Sequence, residues 1–416
     1  MPDTRQISPT RLAPFTESSE PIIFGAPDLR EEEIDEVVDT LRSGWIGTGP
    51  KTKRFEEEFS SYLGVRHAVA TNSGTAALHL ALSALGIGPG DEVITTPLTF
   101  VATANVIEHC GARPVFADVS LVDGNIDPNR IDEKVTPRTK AIMPVHYSGS
   151  LASVGRICER HPKIPVVVDA AHAVEARYPD GSGSAGQGAT CTAYSFYVTK
   201  NLMTGEGGML VTDDEELARD ARIRSLHGLD NDAWKRYSSG GYGEYELRYP
   251  GFKYNMTDLQ ASLGIHQLKR LEKALERRCE IWERYNDAFK LLLGVKIPPV
   301  AGSPDKYGRH ARHLYALWLD WASLGLSRRE FVVSMRDWGI GTGWHFKAVH
   351  QHAFYREKYG YESGSFPHAE WIAERTVSIP LSSKLTDAQV DRIIETVLTL
   401  LAQAADRNDR RRRLDR

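Results

Sequence analysis

Two residues with chemical potential close strand-like runs. Val166-Val167-Val168 is an uninterrupted apolar run that ends in Asp169 and is followed by Ala170-Ala171-His172. Strands covered on both faces read in this way. An acid at such a strand end is either a helix cap or turn former, or a functional group at a ligand edge. Further along, Tyr194-Ser195-Phe196-Tyr197-Val198-Thr199-Lys200-Asn201 leads into Thr204-Gly205-Glu206-Gly207-Gly208. Lys200 therefore follows a strand and precedes a Gly-rich turn, where its amine can face a cleft. A lysine met alone is usually a solvated surface residue, and the pairing with Asp169 changes that reading.

An amine and a carboxylate so placed are what pyridoxal phosphate (PLP) chemistry needs. A nucleophilic, partly deprotonated lysine forms an imine with the cofactor aldehyde. A carboxylate at the other end keeps the pyridine nitrogen protonated, so that the ring accepts electrons. A third element is Thr71-Asn72-Ser73-Gly74-Thr75-Ala76-Ala77, a strand running into a Gly-led helix start. Free backbone N–H groups, the helix dipole and the Ser73 and Thr75 hydroxyls suit a phosphate, although the same residues also make an ordinary helix cap. Ser195 offers a second hydroxyl to the same phosphate. Phe100, in Thr99-Phe100-Val101, is either a core residue or a plate for a flat ring.

The elements that must position these residues alternate. Seven β-rich runs occupy 67–72, 92–96, 114–119, 141–147, 165–169, 192–196 and 208–212, with helical stretches such as 74–85 and 99–109 between them. Such alternation predicts an α/β fold with a mostly parallel seven-stranded sheet sandwiched by helices. Ligands in such sheets lie beyond the carboxyl ends of the strands. From Asp258 a helical pattern with three- and four-residue apolar spacing begins. The expected division is a loose N-terminal arm over 1–20, a large domain over 21–257, a linking helix over 258–295, a smaller C-terminal α/β domain over 296–405 and a charged, frayed tail over 406–416.

Taken together, SGTAAL, TPLTFVATAN, DAAHA, SFYVTKNLMTGEGG and GFKYNMTDLQA, in this order, resemble the DegT/StrS-type sugar aminotransferases among the fold-type I PLP enzymes. The resemblance runs from about Gly25 to the helix near Leu401. It implies that Lys200 is the Schiff-base lysine, that Asp169 partners the pyridine nitrogen, and that Gly74, Thr75 and Ser195 hold the phosphate. It also implies that Phe100 stacks on the ring and His172 lies near the ring hydroxyl. Asn255 would reach the cofactor phosphate of a neighbouring subunit, which makes a homodimer with shared active sites; its competing reading is a helix cap before Asp258. Two Gly-rich stretches resemble members that aminate C4 of a 4-keto sugar nucleotide, the competing reading being loop architecture. The first, 43–50, would bring Trp45 and Thr48 over the sugar or diphosphate. The second, 339–348, would bring His345 and Lys347 towards the nucleotide.

The implied function is a ping-pong transfer of an amino group from an amino acid, glutamate in the family, to C4 of a nucleotide-linked 4-keto-6-deoxy hexose, with pyridoxamine phosphate as the intermediate form of the cofactor. One rival is a PLP-dependent sugar dehydratase on the same scaffold, whose members carry histidine where Lys200 stands. A second is a non-catalytic regulatory protein, which would have no need of Lys200, Asp169 and the phosphate motif together. Composition fits these enzymes: 416 residues, 41% hydrophobic and 25% charged, with a net charge of −4, give no case for nucleic acid as a partner. Four cysteines without a C-x-x-C pair argue against a zinc ribbon, so no metal is expected, and they suit a reducing cytoplasm. No apolar run has the length of a membrane span.

Overall fold

The computed structural model describes residues 20–229, 246–298 and 308–414. Most of the expected arm, 1–19, lies outside the described residues. The seven strands form where the apolar runs predict them: β1 His67–Thr71, β2 Glu92–Thr95, β3 Arg113–Phe116, β4 Thr139–Met143, β5 Val167–Asp169, β6 Cys191–Ser195 and β7 Gly208–Thr212. They pair in the order β1-β7-β6-β5 and β3-β2-β4. Backbone bonds from Ile142 to Pro165 and from Asp169 to Pro144, at 3.0 and 2.9 Å, join β4 to β5 and close the two groups into one sheet. Only β7 runs against its neighbours, so the sheet is mostly parallel.

Helices cover both faces: α1 Glu31–Ser43, α2 Pro50–Leu63, α3 Gly74–Ala84, α4 Ala102–His109, α5 Pro128–Asp132, α6 Val154–Arg160 and α7 Glu215–Ser225. Phe55, Phe59, Tyr194 and Phe196 fill one layer of the core, and Leu78, Leu80, Val93 and Leu210 the other. The stretch expected as one linking helix is two, α8 Asp258–Lys269 and α9 Leu271–Phe289, because Arg270 leaves helical geometry at φ −105, ψ 6. A capping box of Thr257 and Gln260 starts α8. Asp258, fully buried, turns its carboxylate to α2, accepting from the Lys51 and Thr52 amides at 3.0 and 2.9 Å and from the Thr52 hydroxyl at 2.7 Å. That cap holds the loop before α2 against the segment before α8.

A second, antiparallel sheet follows, with β8 Val295–Lys296, β9 Tyr315–Leu319 and β10 Thr376–Ile379 in the order β10-β9-β8. Trp282, Tyr285, Phe289, Tyr315 and Phe331 fill its own core, and Ile22 from the N-terminal segment joins them. The last helix, Asp387–Leu414, runs through most of the stretch expected to fray. Among the described residues no helix is long and apolar enough to cross a membrane.

Candidate active site

A cavity of about 450 Å³ opens beyond the carboxyl ends of β5 and β6 and gathers residues from both sheets. Asp169, the last residue of β5, is 6% exposed and lines it. Its Oδ2 accepts from the Thr103 hydroxyl at 2.8 Å, and its Oδ1 from the Ala171 amide at 3.1 Å. Burial raises the Asp169 pKa, while Thr103, the Ala171 amide and Lys200 oppose the rise. Lys200 enters from the turn after β6, its amide bonded to the Tyr197 carbonyl at 2.8 Å. Burial pushes its amine down to about 8 although Asp169 pulls the other way. An amine so depressed is neutral in a useful fraction near neutral pH, as a nucleophile must be.

The far wall is the start of α3. Ser73 caps the helix, its hydroxyl accepting from the Ala76 amide at 3.1 Å. Gly74 and Thr75, which line the cavity, occupy the first helical positions, whose amides the helix cannot pair. Ser195 lies against them: a Cβ on Gly74 would stand 2.8 Å from Ser195 Cβ, so glycine is what lets the helix start approach β6. Gly208 serves the same approach from β7, since a Cβ there would sit 2.4 Å from the Ser73 carbonyl oxygen.

Phe100 stands at the rim, 59% exposed, with its ring centroid 6.0 Å from that of Phe346. His172 is buried in the wall, stacked on Phe346 and with its centroid 4.5 Å from that of His313. His345 lines the same cavity, bonded through Nδ1 to the Ser378 hydroxyl at 2.9 Å and stacked on Phe24. Burial holds the three imidazoles neutral, with His345 pushed down to about 3 and Lys200 adding to the shift in each.

Three of the expected substrate residues lie outside this cavity. Thr48 and Asn255 are together, the Asn255 amide donating to the Thr48 hydroxyl at 2.6 Å and that hydroxyl to the Met256 carbonyl. They line a separate, more open groove of about 1320 Å³ that contains neither Lys200 nor Asp169. Trp45 sits on the same loop, its ring edge where a Cβ on Gly49 would meet it. Lys347, two residues beyond His345, is also absent from the cavity wall. Within one chain, then, His345 joins Lys200, while Trp45, Thr48, Asn255 and Lys347 do not.

Sequence reasoning missed several neighbours. Thr103 and Thr99 stand four residues apart and share a hydrogen bond at 2.8 Å, a helical spacing that was legible. Phe24 and His313 come from segments remote in sequence from Lys200 and carry no local signal, while Phe346 lies inside the Gly-rich stretch 339–348.

An amine, a carboxylate and a helix start with unpaired amides, all on one cavity, are the donor and acceptor set that PLP requires, and the residues fit it. A family model of DegT/DnrJ/EryC1/StrS aminotransferases matches residues 27–398. The chain belongs to this aminotransferase family. The spore coat polysaccharide biosynthesis protein SpsC of Bacillus subtilis is 49% identical over 386 residues, 92% of this chain and 97% of that protein. Spr1654 from Streptococcus pneumoniae, solved in a PLP form, is 35% identical with a TM-score of 0.83, over 92% of this chain and 99% of that one. DesI, solved with its TDP-sugar product, is 28% identical with a TM-score of 0.82, over 95% of this chain and 96% of that one. The match to the DegT/DnrJ/EryC1/StrS family thus spans nearly the whole chain, including the second sheet, on whose Ser378 His345 is anchored.

Proposed function

We propose that this protein is a PLP-dependent sugar nucleotide aminotransferase that takes an amino group from L-glutamate and delivers it to C4 of a nucleotide-linked 4-keto-6-deoxy hexose. The observation that carries this reading is the meeting of Lys200, Asp169 and the α3 start on one cavity. SpsC, a polysaccharide biosynthesis protein, and DesI, with its TDP-sugar product, support a sugar nucleotide as the acceptor.

Bound here, PLP supplies an aldehyde for amine exchange and a ring that accepts electrons. Gly74, Thr75 and Ser195 would hold its phosphate, Phe100 one face of its ring, and His172 the region of its hydroxyl. Lys200 would hold the cofactor through its aldehyde and, as a free amine, would move protons at the substrate carbon. Asp169 would face the pyridine nitrogen as its counter-charge, and its two hydrogen bonds keep the carboxylate oriented. His345, held by Ser378 of the second sheet, would meet the substrate. Asn255 would act from a neighbouring subunit in a homodimer, and Thr48, to which it is bonded, would accompany it, while Trp45 and Lys347 would meet the sugar nucleotide. Lysine at position 200 favours transamination over the dehydratase alternative, whose members carry histidine there.

Purified protein should be yellow and lose its long-wavelength band on addition of glutamate. A screen of 4-keto and 3-keto sugar nucleotides, read by product mass, should then give an amino sugar from the 4-keto series. A protein that takes up no PLP would refute the enzyme reading, and amination of 3-keto sugars alone would refute the C4 assignment. Asp169→Asn should fold, bind PLP and lose at least about 10²-fold in turnover.

A further inference from the structure

Behind Lys200 lies a polar chain that none of the proposed roles uses. The residue after the lysine, Asn201, donates its amide nitrogen to Glu175 Oε2 at 3.0 Å and to the Ala311 carbonyl at 2.9 Å. Both partners are acceptors, so the Asn201 amide orientation is fixed and its Oδ1 points elsewhere. That oxygen lies 3.0 Å from Nδ1 of His313. Because Oδ1 can only accept, Nδ1 of His313 must carry the proton, and Nε2 is left as a bare lone pair. Glu175 is itself fully buried and anchored by Arg278 from α9, so it has no freedom to release Asn201.

His313 lines the cavity that holds Lys200. Its Nε2 makes no hydrogen bond among the described residues, and neither does the Lys200 amine. Both side chains thus lie on the wall of one cavity, close enough for Lys200 to act electrostatically on His313. We infer that Glu175 and Asn201 are positioning residues that lock His313 in its Nδ1–H form, so that His313 Nε2 accepts a hydrogen bond from Lys200 whenever the lysine is an ammonium. The other titratable groups on the cavity are Asp169, His172, Tyr194, Tyr197, Glu206 and His345. Asp169 is bound to Thr103 and the Ala171 amide, and the Nδ1 of His345 is taken by Ser378. The arrangement tunes the lysine's proton affinity through a neutral group, without placing a second full charge beside it. It concerns the free lysine and holds whether or not the sugar reading is correct.

Two measurements on the full-length, cofactor-free protein test it. Nitrogen-15 shifts of histidine-labelled protein should show His313 as the Nδ1–H tautomer, and Asn201→Ala should give a mixture of tautomers. The pH dependence of acetic anhydride labelling at the Lys200 peptide, read by mass, reports the lysine's titration. In His313→Phe it should move down by about one pH unit, the tenfold expected from losing one charge-assisted hydrogen bond. His313→Gln, which restores an acceptor, should return most of the shift. A wild-type His313 protonated on Nε2 would overturn the inference, as would a folded His313→Phe whose Lys200 titrates like the wild type. Should His313→Phe fail to fold, the tautomer of the wild type and the titration of Asn201→Ala decide the matter alone.

Discussion

Thr103, in the first turn of α4, donates its hydroxyl hydrogen to the Asp169 carboxylate at the end of β5, across 2.8 Å. Since that hydrogen is committed to the carboxylate, the contact with Thr99 at 2.8 Å has Thr99 as donor. A two-hydroxyl chain therefore ends on the buried acid that the proposed function needs ionised.

Removing that support has a defined sign. Thr103 lowers the Asp169 pKa and burial raises it, so Thr103→Val leaves burial to dominate and the pKa rises further. The acid limb of the pH–rate profile should move to higher pH, and kcat/KM should fall about 10- to 100-fold. An unmoved limb with full activity would show that Asp169 does not depend on this hydrogen bond.

The depressed Lys200 amine has its own pH signature. With its pKa near 8, the neutral, reactive fraction grows as pH rises through that value and then levels off. The rate of PLP uptake by cofactor-free protein should follow this curve in stopped-flow absorbance. Lys200→Ala should hold PLP without the imine band and turn over nothing measurable. A rate independent of pH between 6 and 9, a range of about three units around that pKa, would contradict the assignment.

Gly74→Ala tests the close approach at the α3 start. The added Cβ meets Ser195 Cβ at 2.8 Å and the Tyr194 carbonyl oxygen at 3.1 Å, neither of which is the end of a flexible chain. Helix and strand must part, and the strain should cost about 1–3 kcal/mol. PLP affinity measured by equilibrium titration should fall more than the melting temperature suggests, because the displaced groups are those that would face the phosphate.

Mixed assemblies address the distant pair. An Asn255→Ala chain and a Lys200→Ala chain, each inactive in the proposed scheme, should recover activity when mixed, because one of the two sites in the hybrid dimer is intact. Absence of recovery, with hybrid formation confirmed by native mass, would place Asn255 outside the site.

The strands were legible because each is a short, nearly unbroken apolar run; boundaries moved by one residue at Cys191–Ser195 and by up to four at Thr139–Met143. The start of α4 was read too early. Thr99 turns its hydroxyl to Thr103, and the helix begins only at Ala102. Lys200, Asp169, Gly74 and Ser195 were legible because strand ends announce themselves through a change from apolar to polar residues. His313 and Phe24 were not, since they reach the cavity only through packing between the two sheets, which no local pattern encodes. The break at Arg270 was hidden for a related reason: its guanidinium is drawn to Glu33 and Asp28, remote in sequence, rather than along its own helix.

The Glu175–Arg278 pair ties α9 to the segment after β5, and both side chains are out of water. Arg278→Met strands a buried carboxylate and should cost about 3–5 kcal/mol in denaturant unfolding, whereas pairing it with Glu175→Gln should recover much of the loss. A single variant as stable as the wild type would mean that the pair contributes nothing to holding α9 against the segment after β5.

Asp169 and Lys200 depend on β5 and β6, which are bonded neighbours in the larger sheet, whereas His345 depends on Ser378 in the smaller one. The two walls of the cavity therefore rest on different sheets, tied together where the Tyr147 hydroxyl donates to the His345 carbonyl at 2.6 Å. Under the proposed function, heat or denaturant that loosened the smaller sheet first would withdraw His345 from the substrate while the cofactor stayed seated. Such a protein would remain yellow after it had stopped working, and its colour would be a poor witness to its health.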